Sequence, residues 1–192
     1  MRKVAPVPER SPILGRLRLA GVYIFIAALI VMARPTPALL AAGATLAVAG
    51  EAVRIWAAGH LRKSVRLATA GPYAWTQNPL YLGRLLILTG LGIAARNEWG
   101  LNWLALLAGY AIFFLYYIPR KLRVEGARLE KIHGEAFTRY SRGVPILFPS
   151  LRPYPGRGSE RWSLAQMVRN QEPFVMLGLL VGFAFLAWKI GA

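Results

Sequence analysis

The sequence predicts an all-α, polytopic integral membrane helical bundle: one membrane domain of about five transmembrane helices with a cytoplasmic amphipathic helix segment. Three observations predict it. The 192 residues are 56% hydrophobic, yet their formal net charge is +16. The apolar residues gather in long runs and the basic ones in islands between them, as in a chain divided between hydrocarbon and water. A soluble nucleic-acid binder of this charge would spread Lys and Arg over a polar face, so no nucleic-acid partner is expected. Finally, the chain has no Cys, and its 8 acidic residues are all Glu. That excludes disulfides, thiolate catalysis, Cys-ligated metal and a Ser-His-Asp triad.

Each span follows from its run. Residues 17–33 form the first and stop at Arg34-Pro35-Thr36-Pro37. Residues 38–59 form the second, almost all Ala, Leu, Val and Gly, with Glu51 and Arg54 near its end. The third covers 79–95, the fourth 99–118 with aromatic residues toward its ends, and the fifth 173–188. Several lie at the short limit of the roughly 17–25 residues that cross a bilayer, which tilt or local thinning accommodates.

Charge orients the spans. Arg2, Lys3, Arg10, Arg16 and Arg18 precede or open the first; Arg62, Lys63 and Arg66 link the second to the third. A long basic stretch links the fourth to the fifth, whereas the opposite side carries Arg34, Arg96 and Lys189. Positive residues stay inside, so the N-terminus is expected in the cytoplasm and the C-terminus outside. Attraction to anionic membrane lipids follows from the same charge.

Residues 119–172 are too long for a plain loop. Leu122, Glu125, Leu129, Ile132 and Ala136 recur at helical spacing over 120–140, which sets Glu125 on an apolar face. A carboxylate there needs a cation, a ligand or a hydrogen bond. It could serve as a base or bind a ligand, or simply pair with Arg123 or Arg128. Residues 145–159, rich in Pro, Gly and Arg, read as irregular chain. Residues 161–168 could form a short interfacial helix anchored by Trp162.

Upstream, Gly71-Pro72-Tyr73 and Gln77-Asn78-Pro79-Leu80-Tyr81-Leu82-Gly83 mark a turn entering a span. Pro79 suits a first helical position and Asn78 an N-cap. Free N–H groups at that helix start could face an anionic ligand group. Tyr73 and Tyr81 could line a pocket, and Gly83 permits close approach of a ligand or a helix. Arg54 could pair with Glu51 at i, i+3 or hold a substrate carboxylate; Arg84 could snorkel to the interface. His60 and His133 have no companions at metal-ligand spacing, so no metal site is expected.

Taken together, Gly71-Pro72-Tyr73 with Asn78-Pro79-Leu80-Tyr81-Leu82-Gly83, and downstream Glu125 to Leu129, His133 to Phe137, Tyr140 and Val144-Pro145, resemble the two signatures of the isoprenylcysteine carboxyl methyltransferase and phospholipid methyltransferase superfamily. The segment at Arg54-Ile55-Trp56-Ala57 is similar to that family's upstream stretch, and the resemblance covers about residues 47–150. Gln77 stands where the family usually has Arg, and Gly126 where it has a second Glu.

The resemblance implies an integral membrane methyltransferase with S-adenosylmethionine as cofactor, bound on the cytoplasmic side. Tyr73, Gln77, Asn78, Pro79, Tyr81, Gly83, Glu125 and Tyr140 would hold the cofactor, and Glu125 and Arg54 would serve the chemistry. The acceptor would be a lipophilic small molecule or a prenylated substrate. Carboxyl O-methylation leads, with phospholipid or other lipid-amine N-methylation as the alternative. A catalytically inactive interaction protein of the same fold is a further alternative, favoured by Gln77 and Gly126. Transport is disfavoured, because no paired broken helices occur in two halves.

Overall fold

The structure, a computed structural model, describes residues 12–62 and 66–191; in the first helix it describes side chains only at residues 20, 21 and 24–31. Arg2, Lys3, Arg10 and Lys63, which contribute to the charge-based orientation, lie outside the described residues, as do the side chains of Arg16 and Arg18. Among the described residues the fold is all-helical: α1 Pro12–Val31, α2 Pro37–His60, α3 Pro79–Ala94, α4 Leu101–His133, α5 Glu135–Gly143, α6 Leu164–Arg169 and α7 Glu172–Gly191. Of these, α2, α4 and α7 are long and apolar enough to cross a membrane; α3 is apolar but shorter.

Local chemistry sets the ends. Thr36 caps α2 by accepting from Leu39 N at 3.4 Å, and Pro37 takes the first turn, where a missing N–H costs nothing. Pro79 opens α3 in the same way. The spine of the bundle is α2 against α3. A Cβ on Gly43 would lie 2.3 Å from the Gly90 carbonyl, and one on Gly83 would lie 2.5 Å from the Gly50 carbonyl. Only hydrogen at these positions lets the two backbones meet, as membrane helices require where burial against water is absent. Gly83 therefore serves a helix rather than a ligand.

The expected end of the fourth span, residue 118, is not a helix end. A single helix, α4, runs through it, with π-type turns at Ile112–Tyr117 and Leu122–Gly126. Pro119 would break a regular helix, because it lacks an N–H and crowds the preceding turn. Widened turns on either side accommodate it. At 1.5 Å per residue, α4 is about 50 Å long, so about 20 Å of it projects past a hydrocarbon core of about 30 Å.

The structure corrects part of the expectation for Glu125. Leu122, Glu125, Leu129 and Ile132 line the same cavity, as their spacing predicts, but the Glu125 side chain is half exposed there rather than buried. Gly134, at φ +52, then turns the chain into α5. Trp162 donates from Nε1 to the Ile55 carbonyl at 3.0 Å. The short helix begins slightly later than expected, at Leu164, capped by Ser163. Asn170 Nδ2 donates to the carbonyls of Ala58 and Leu61 at 2.8 and 3.0 Å, satisfying acceptors left open at the end of α2.

Candidate functional site

A cavity of about 470 Å³ lies where the end of α2, the start of α3, the projecting half of α4 and the start of α7 converge. Arg54, Tyr73, Gln77, Asn78, Pro79, Tyr81, Glu125 and Tyr140, all singled out from the sequence, line it. Gly83 does not; it lies behind Arg54, whose Cγ a Cβ there would meet at 2.5 Å.

Arg54 forms the floor. Its Nη2 donates to both Glu172 carboxylate oxygens at 2.9 and 2.8 Å, and its Nε to one of them at 3.1 Å. Glu51 is a looser companion, 3.6 Å from Arg54 Nε, and neither of its buried oxygens accepts a hydrogen bond. The sequence offered Glu51 as partner and missed Glu172. An i, i+3 carboxylate cannot meet a guanidinium edge squarely, so a buried Arg should have prompted a search for a second acid at a span end. Glu172, at the first turn of α7, was that acid.

The turn Gly71–Ala74 and residues 76–78 form one wall. Tyr73 is buried, and its carbonyl accepts from the Tyr140 hydroxyl at 2.8 Å. Burial pushes both phenols above their ordinary range, so each stays protonated. Gln77 Nε2 donates to the carbonyls of Val144 and Ser141 at 2.6 and 3.1 Å, and its backbone N–H to Pro145 O at 2.9 Å. Asn78 does not cap α3 with its side chain. Nδ2 donates instead to Ile146 O at 2.7 Å, and Oδ1 accepts from Lys121. An amide that can pin a distant segment at both ends outcompetes a local cap.

The opposite wall is α4. Lys121 ion-pairs with Glu125 at 3.2 Å and lies 3.9 Å from the centre of the Tyr81 ring, a cation–π contact. Tyr81 also meets the Tyr117 hydroxyl at 3.1 Å, and Arg84 approaches the same ring. Glu125 thus pairs with Lys121, a partner not weighed from the sequence. Gly126 lines the cavity, and a Cβ there would meet nothing within 4 Å. Packing does not demand that glycine.

Arg62, Arg66, Arg84 and Arg128 join Arg54 and Lys121 around this space, against Glu125 and Glu172. The cavity is a cationic bowl with an aromatic side. It can hold an anionic group by charge and hydrogen bonds, whereas a bare metal cation would be repelled. Among the described residues, no group of three or more His, Cys, Asp or Glu could hold a metal ion.

The comparisons with known proteins point away from methyl transfer. The chain is similar to the cobalt-zinc-cadmium resistance protein CzcN of Cupriavidus metallidurans, at 35% identity over 124 residues, 64% of this chain and 52% of that one. It is also similar to the nickel-cobalt-cadmium resistance protein NccN of Alcaligenes xylosoxydans xylosoxydans, at 33% over 111 residues, 57% of this chain and 47% of that one. The chain spans about half the length of the curated relatives it matches. No protein-family profile matches it, and neither does a solved structure.

These findings correct the expectation of an isoprenylcysteine-type or phospholipid-type methyltransferase: the relatives are named for metal resistance, not for that activity. The structure shows how the motifs could mislead. Gly71-Pro72-Tyr73 forms a tight turn, Gln77 and Val144-Pro145 bind each other, Gly83 packs helices, and Tyr140 braces Tyr73. Those positions serve architecture, which a membrane protein can need without transfer chemistry.

Proposed function

We propose that this chain is a membrane component of resistance to toxic divalent metal cations, and that its cationic cavity binds an anionic small molecule rather than the metal. The observation that supports this most is the wall of Arg54, Arg62, Arg66, Arg84, Arg128 and Lys121, which disfavours a cation and favours a carboxylate or phosphate. The named relatives supply the metal-resistance half of the reading. S-adenosylmethionine carries a sulfonium and an ammonium beside its carboxylate, so only its carboxylate end suits this wall, with Glu125 and Glu172 left for its cationic groups. The chain would cross the bilayer about five times, with the N-terminus and the cavity in the cytoplasm, the C-terminus outside, and membrane lipids as neighbours.

The test is growth of a metal-sensitive bacterium expressing the protein on graded cobalt, zinc, cadmium and nickel. Tolerance of at least one metal should rise, and a paired Arg84→Ala and Lys121→Ala variant should lose most of that gain. Well-expressed, membrane-located protein that changes tolerance to none of the four metals would sink the resistance reading. Thermal stabilisation of purified protein by pyrophosphate or citrate tests the ligand half, with the net cationic S-adenosylmethionine as a separate arm. No shift with either anion would remove the anionic ligand.

A further inference from the structure

Residues 145–161 cross the cavity end of the bundle as irregular chain, yet they are held firmly. Asn78 Nδ2 donates to Ile146 O at 2.7 Å and Thr76 Oγ1 to Leu147 O at 2.8 Å. Ser150 N and Tyr154 N donate to the carbonyls of Trp75 and Ala74 at 2.9 and 2.7 Å, and Gly158 N to Thr69 Oγ1 at 2.9 Å. Between these pins the strap holds two large apolar side chains outward: Phe148 is 62% exposed and Leu151 98% exposed. A slack loop would fold such groups against the protein. Here the backbone is fixed around both, so burying them needs something from outside.

The charge of the strap says what that is. Arg152, Arg157 and Arg161 are all exposed, and Glu160 is the single acid over 145–161. The strap is pinned to the turn that begins α3, an apolar helix; with α3 in the bilayer, that end of it would lie where hydrocarbon gives way to headgroups. Trp162, just before α6, and Leu164 and Val168 on it are exposed apolar side chains as well. Apolar side chains flanked by arginine, at that level, match an anionic lipid leaflet: hydrocarbon takes the former and phosphate the latter.

We propose that Phe148 and Leu151 form a preorganised wedge that enters an anionic leaflet beside the cavity, with Arg152, Arg157 and Arg161 on lipid phosphates. The inference stands apart from metal resistance and from the cavity's ligand.

The chain has no Cys, so Leu151→Cys and Phe148→Cys each create a unique labelling site on an exposed position. An environment-sensitive fluorophore at either site, in the full protein reconstituted in phosphatidylcholine vesicles with phosphatidylglycerol, should emit to the blue. Spin-labelled lipids should quench it several-fold more than the same label at Pro155→Cys. Adding Arg152→Glu and Arg157→Glu should reduce that quenching. Water-like emission, with iodide quenching equal to that at Pro155→Cys, would overturn the wedge and leave the strap facing water or a soluble partner. Equal burial with and without phosphatidylglycerol would overturn the anionic part.

Discussion

Two Arg–Glu pairs sit at opposite ends of the bundle, and their difference shows what holds this protein together. Arg54 and Glu172, with side chains 8% and 3% exposed, meet along a full guanidinium edge and join helices distant in sequence. Arg34 and Glu98, with side chains 73% and 66% exposed, touch at 3.9 Å across a water-accessible cleft. The first pair fixes where α7 docks and forms the cavity floor. The second is screened, mobile in geometry and worth little. Identical chemistry is structural at one end and incidental at the other because the surroundings differ in water, not because the residues do.

The largest expected effect follows from breaking the first pair. Glu172→Ala leaves a buried guanidinium with only Glu51 nearby and should cost about 3–5 kcal/mol, read as lost yield and thermal stability of detergent-solubilised protein. A triple replacement of Glu51, Arg54 and Glu172 by apolar residues of similar size should recover much of that stability, because no charge is then left unpaired.

Next comes the helix spine beside that pair. Gly83→Leu drives a side chain into the Gly50 carbonyl and the Arg54 stem. It should cost about 1–3 kcal/mol or more and weaken α2–α3 cross-linking yields. Gln77→Ala removes both donors to Val144 and Ser141, and orphaned carbonyls there should cost about 1–3 kcal/mol by denaturant titration.

A pH effect is smaller. Burial raises the pKa of Tyr73 and Tyr140 above the unfolded value. Their contribution is present in full below the unfolded value, about 10, and is lost as pH rises beyond it. Stability should decline in that alkaline window, and Tyr140→Phe should soften the decline. The smallest effect belongs to the exposed pair: Glu98→Ala should change stability by about 0–1 kcal/mol. A larger loss would mean that the two ends are more alike than their exposure implies.

Much of this was legible in the chain. Long apolar runs and the Asn78-Pro79 start placed α2 and α3 closely, because burial in lipid and helix termini are local properties. Seven of the eight residues singled out as cofactor-binding, and both singled out for the chemistry, line one cavity; they lie at helix ends that any compact arrangement of these spans would gather. Illegible were features decided between distant segments. So was the continuity of α4 past Pro119, because a widened turn leaves no local mark. Glu172 was passed over because its partner lies 118 residues earlier. The Asn78 amide, read as a cap, was claimed by a segment that folds over it.

The latch between α2 and α7 also bears on how the chain is made. Arg54 enters the bilayer with α2, long before α7 exists to neutralise it. Until Glu172 arrives, the growing chain carries a guanidinium facing Glu51 alone, an arrangement that lipid tolerates poorly. Insertion of α7 therefore supplies the carboxylate that neutralises Arg54. A chain halted before α7 would keep that guanidinium without its main partner.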